Sequence, residues 1–137
     1  MPKTNLQQQI FIDALPSKVW KVLTNPDYTD QYLPGGSFDC QWTEGCTLTV
    51  ISETEGKIQT ISKGRVLQVI PGVLLKYNLQ EEGSNDLTST TYELIPADNG
   101  IELKIFCEGF TNSEDYFFRL QQIKLILQKI KWLAEYA

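Results

Sequence analysis

The stretch from Ser113 to Ala137 contains neither glycine nor proline. Within it Tyr116, Leu120, Ile123, Leu127, Ile130 and Ala134 recur at alternating steps of four and three, the spacing that lays one apolar stripe along an α-helix. Phe117, Ile126 and Leu133 widen the stripe, while Glu114, Arg119, Gln121, Lys124, Gln128, Lys131 and Glu135 fall mostly on the other side. Thr111-Asn112-Ser113-Glu114 fits a capping box, and acidic residues at the start with Lys129 and Lys131 near the end suit the helix macrodipole. At about 1.5 Å per residue such a helix runs roughly 35 Å, the width of a small domain. It requires an apolar partner of similar length, which the preceding chain must supply.

That preceding chain reads as a sheet. Leu6, Ile10, Ile12 and Ala14 share one face, which predicts a strand over Gln7–Leu15. Pro16 opens a short helix over Pro16–Thr24, a position that proline favours. Asp27–Leu33 reads as a second short helix, stopped by Pro34-Gly35-Gly36. Strands follow over Ser37–Thr43, Cys46–Glu53, Ile58–Ile70, Val73–Gln80, Leu87–Ile95 and Ile101–Phe110, with a bulge or bend expected at Gly64. Short connections imply antiparallel pairing with one polar face, and the terminal helix is the long apolar element left to cover the other. The predicted class is α+β, a single domain over residues 1–137: a curved antiparallel sheet of about seven strands around a long C-terminal helix, with two short helices after the first strand.

Composition narrows the function. A net charge of −5 without a basic cluster argues against a nucleic-acid partner. No segment reads as a signal core or a membrane span, so a cytoplasmic protein is expected. Cys40, Cys46 and Cys107 are widely spaced and odd in number, which predicts free, reduced thiols. The chain has no histidine, which excludes histidine triads, histidine metal sites and imidazole bases. Neither a metal nor a cofactor is expected.

Four segments carry a family resemblance: Ala14–Pro26; Gly64-Arg65-Val66 with Val69-Ile70-Pro71 and Leu75-Lys76-Tyr77; Ser89–Pro96 followed by Gly100–Phe110; and the terminal helix. In order and spacing the chain resembles the helix-grip fold of the START-like superfamily, which includes polyketide cyclases and lipid-transport proteins. Within it, the chain is similar to the homologues of the activator of the ninety-kilodalton heat-shock chaperone's ATPase. The resemblance implies a fold and a pocket rather than a particular reaction.

A concave sheet gripping one helix leaves room for a mostly apolar pocket with a few polar anchors. Trp42, Tyr77 and Tyr92 are the candidate anchors, each a large ring with a polar tip on a strand face assigned inward. The competing reading is a core aromatic whose polar tip is satisfied by backbone. Ile105, Leu120, Ile123 and Leu127 are the expected walls. The carboxylate pairs Glu53/Glu55, Glu81-Glu82 and Glu114-Asp115 lie at turns or a helix start and read as solvated charge, while Glu93 faces the pocket only if the register slips by one. Gly35-Gly36 reads as a flexible exit from the second short helix at a possible cavity mouth. The leading expectation is non-catalytic binding of a small apolar or amphipathic molecule. The alternatives are a chaperone-associated module acting through its surface and, with least support, a cyclase- or hydrolase-type enzyme.

Overall fold

The computed structural model describes residues 4–32, 36–81, 87–110 and 113–137. The elements are β1 (Thr4–Ile12), α1 (Pro16–Thr24), α2 (Pro26–Tyr32), β2 (Ser37–Asp39), β3 (Thr47–Thr54), β4 (Lys57–Ile70), β5 (Leu74–Glu81), β6 (Leu87–Ala97), β7 (Gly100–Phe110) and α3 (Ser113–Tyr136). The strands form one seven-stranded sheet in the order β1-β7-β6-β5-β4-β3-β2, antiparallel throughout. Consecutive strands pair from β2 to β7, and β1 closes the far side against β7. No described helix is long and apolar enough to cross a membrane.

Three local differences from the sequence expectation have physical causes. The first strand starts and ends earlier than Gln7–Leu15, because the chain turns after Ile12 to enter α1, whose first turn holds proline. The strand expected over Ser37–Thr43 stops at Asp39, and Trp42 beyond it takes a left-handed φ of 55° that a strand does not accommodate. Gly64 sits in regular pairing with Leu48 and Leu79, and the register of β4 shifts elsewhere: between Thr60 and Ser62 against β3, and between Val66 and Gln68 against β5. The glycine serves close approach instead: a Cβ there would strike the backbone carbonyl of Asn78, whose side-chain Oδ1 accepts the Arg65 N–H at 2.8 Å.

The inner face of the sheet buries Leu48, Val66, Leu75, Leu94, Leu103 and Ile105. On α3, Ile123, Ile126, Leu127, Ile130, Leu133 and Ala134 are buried against it. Phe117 is 64% exposed and does not widen the stripe as expected, while Leu120 is half-buried. The proposed capping residues Thr111 and Asn112, like the side chain of Tyr116, lie outside the described residues. The C-terminal half of α3 is the anchored half. Lys131 donates to the Phe11 carbonyl at 2.7 Å and pairs with Glu135 at 2.6 Å, and Glu135 accepts the Asp13 N–H at 2.8 Å. These contacts fasten the helix to the end of β1, beside the fully buried Val19 and Val22 of α1.

Leu127 is 3% exposed and Ile130 fully buried in that anchored half. Truncating either to Ala is expected to cost about 2–5 kcal/mol in denaturant melts, and Leu120→Ala less than either. Silent substitutions at both buried positions would contradict the packing.

The core also holds three tyrosines, Tyr32, Tyr77 and Tyr92, and burial pushes the pKa of each upward. The folded state therefore holds these protons more tightly than the unfolded chain, in which tyrosine ionises near pH 10. Their contribution is fully present below about pH 10 and is lost as pH rises toward the folded values. The melting temperature should fall above about pH 10, with tyrosinate absorbance appearing together with unfolding. Tyrosinate forming in all three residues while the protein stays folded would contradict their burial.

Candidate functional site

The anchoring of α3 decides where space is left. The helix rests mainly against β1, α1, α2 and β7, at one side of a sheet that continues through β6, β5, β4 and β3. A cavity of about 210 Å³ lies between the N-terminal half of α3 and that uncovered part. Its floor comes from Val50 of β3, Ile61 and Ser62 of β4, Tyr77 and Leu79 of β5, Thr88, Thr90 and Tyr92 of β6, and Ile105 and Cys107 of β7. Tyr32 and Phe38 close one side, and Phe118, Arg119, Gln122, Ile123 and Ile126 form the helical wall.

The lining is mostly apolar, but its polar groups are grouped. The Tyr77 hydroxyl lies near those of Tyr92 and Thr90, and Thr90 lies near the Cys107 thiol, close enough for each to influence its neighbour's ionisation. Burial pushes the Cys107 thiol up to about 11, so it stays protonated at neutral pH. The opposite wall carries Arg119, whose Nη1 donates to Gln122 Oε1 at 3.2 Å. The guanidinium is close enough to the buried hydroxyls to favour the ionised form of Tyr77, although burial dominates. The cavity thus has an apolar body, a neutral hydroxyl group on the sheet side and a cation on the helix side.

Of the residues singled out from sequence, Tyr77, Tyr92, Ile105 and Ile123 converge on this cavity. Trp42 does not line it. Its ring packs edge-on against Phe38 at 5.2 Å and Tyr77 at 5.8 Å, behind the cavity wall, and borders an outer depression with Trp20 and Lys21. Leu120 and Leu127 also stand outside the lining, Leu127 within the solid part of the core. The register places Tyr92 inward, and Glu93 lies opposite Leu74 and Lys104 on the other face. Glu53 and Glu55 are exposed at the β3–β4 hairpin. Glu82, Gly35 and the side chains of Glu81, Glu114 and Asp115 lie outside the described residues.

Sequence reasoning missed Arg119 and Gln122. A signal existed: Arg119, Gln122, Ile123 and Ile126 follow the i, i+3, i+4, i+7 pattern of one helix face. The charge of Arg119 nevertheless predicts the solvent side. Tyr32 and Phe38 were also missed, since neither their depth nor their direction follows from local periodicity.

Comparison with known proteins supports this architecture. Solved structures with the same fold include ChR145 from Cytophaga hutchinsonii, 24% identical, covering 96% of this chain and 94% of that one with a TM-score of 0.80. Protein MLL2253 from Mesorhizobium loti is 21% identical, with 95% and 96% covered and a TM-score of 0.79. Ara h 8.0201 is 15% identical, with 95% and 96% covered and a TM-score of 0.71. No curated protein sequence matches the chain. The family model described as "Activator of Hsp90 ATPase homolog 1-like protein" matches residues 13–134, from the turn after β1 to the last turns of α3. The chain therefore belongs to the Activator of Hsp90 ATPase homolog 1-like family, with the helix-grip fold that its sequence implied.

Proposed function

We propose that this domain binds a small amphipathic molecule, without turnover, in the cavity between the sheet and α3. The observation that carries the reading is the combination of a mostly apolar cavity of about 210 Å³ with one cation, Arg119, on its wall. An apolar cavity of about 150 Å³ suffices for benzene, so this one suits a single ring or a short chain. Desolvation of the apolar body would provide most of the affinity. Arg119 and Gln122 would orient an acceptor or anionic head. Tyr77 and Tyr92 have each other as polar neighbours on the sheet side, so their role toward a ligand is secondary to that of the helix wall.

Octanoate and octanol are matched probes, one with an anionic head and one with a neutral head. In calorimetric titrations octanoate is expected to bind and to shift the methyl resonances of Ile123 and Ile126. Arg119→Gln should weaken octanoate by roughly tenfold or more, the scale of a hydrogen bond to a charged group, and leave octanol little changed. Tyr77→Phe should weaken binding by about 0.5–1.5 kcal/mol and also lower stability, because its hydroxyl has internal partners. Absence of methyl shifts with both probes would contradict the reading.

One observation favours a second reading, a chaperone-associated role through the outer surface. Leu125, Trp132 and Tyr136 stand exposed on α3, the last two rings 6.2 Å apart. Stimulation of a chaperone ATPase by the purified domain, lost on Trp132→Ala, would favour this reading over the first.

A further inference from the structure

Outside the cavity, the segment after β2 brings two thiols together. Cys40 Sγ and Cys46 Sγ, both free thiols, lie 3.7 Å apart within hydrogen-bond reach, in a loop closed by Gly45 at a φ of 81°. The loop is held by backbone bonds on the Cys46 side: Gly45 N–H to the Val66 carbonyl at 2.8 Å, Val66 N–H to the Cys46 carbonyl at 3.0 Å, and Cys46 N–H to the Thr43 carbonyl at 3.0 Å. On the Cys40 side, the Trp42 N–H donates to Cys40 Sγ at 3.1 Å. The two sulfurs therefore face each other across a constrained turn. Both residues are only partly buried, unlike Cys107, which is 3% exposed.

We propose that Cys40 and Cys46 form a peroxide-reactive thiol pair, with Cys46 as the attacking sulfur and Cys40 as the resolving one. The two environments differ in the direction this division of roles needs. Backbone hydrogen bonding from Gln41, helped by the Cys40 thiol and by Thr43, holds the Cys46 thiol below the usual range. Burial pushes the Cys40 thiol up to about 11. The Cys46 sulfur is thus the better source of thiolate, the reactive form.

The chemistry balances with a hydroperoxide as the oxidant. The Cys46 thiolate attacks one peroxide oxygen, the O–O bond breaks, and the departing oxygen takes a proton and leaves as water or an alcohol. Cys46 becomes a sulfenic acid, oxidised by two electrons. Cys40 Sγ then attacks Cys46 Sγ; the S–O bond breaks, and the leaving hydroxide departs as water with the Cys40 proton. The S–S bond so formed requires the sulfurs to close from 3.7 Å to about 2.05 Å. A low-molecular-weight thiol restores the pair by two exchange steps, becoming oxidised itself. Because the Cys40 sulfur holds the Trp42 N–H, closure also moves the ring that backs Phe38 and Tyr77.

Hydrogen peroxide added to the fully reduced protein, followed by alkylation and non-reducing peptide mapping, tests the pair directly. The expected first product is the intramolecular Cys40–Cys46 bridge, with Cys107 alkylated and tryptophan fluorescence shifted. Cys40→Ser should let dimedone trap a sulfenic acid at Cys46, and Cys46→Ser should abolish the bridge; circular dichroism checks that both variants are folded. Wild-type protein alone suffices if either variant is unstable. Oxidation first at Cys107, intermolecular dimers as the main product, or a Cys46 sulfenic acid that accumulates without bridging would each overturn the proposal.

Discussion

The structure depends on where the long helix is fastened. Lys131 and Glu135 tie its C-terminal half to the Phe11 carbonyl and the Asp13 amide, at the end of an edge strand. Burial of Leu127, Ile130 and Leu133 beside α1 secures the same half. A sheet seven strands wide cannot be covered by one helix placed at its β1 side. The hollow over β3–β7 is therefore a consequence of the topology. It does not arise from missing side-chain volume at any one position.

The two halves of α3 consequently do different work. The C-terminal half makes the solid core and carries stability. The N-terminal half contributes Arg119, Gln122, Ile123 and Ile126 to a cavity wall, where fewer atoms meet each side chain and packing energy is lower. On the sheet side the hydroxyls of Tyr77, Tyr92 and Thr90 are grouped together, which gives each a polar neighbour in an otherwise apolar lining. The tyrosine rings line the cavity, and their polar tips lie beside one another on its sheet side.

Much of this was legible in the sequence because periodicity reports which face of an element is buried. The alternating apolar positions from Leu75 to Tyr77 and from Ile101 to Cys107 give the inner face directly, and the stripe from Ile123 to Ala134 gives the helix. Features set by non-local geometry were not legible. Gly64 is required by a neighbouring strand's backbone, and that contact leaves no trace in local pattern. Trp42 fits the alternation of Phe38 and Cys40 but leaves the strand through a left-handed φ. Arg119 was misread because charge predicts solvent, whereas a guanidinium at a cavity wall keeps its hydrogen bonds and needs no full burial. The proximity of Cys40 and Cys46 depends on the turn at Gly45, which spacing alone does not specify.

The hollow beneath the N-terminal half of α3 is proposed to receive a small molecule. Native mass spectrometry of the freshly purified protein, followed by extraction and identification of whatever it carries, tests this most directly. A non-covalent adduct of low mass is expected, one that denaturation releases and that Arg119→Gln diminishes. A protein that flies only at its bare mass, and that also acquires no adduct when octanoate is added, would contradict it.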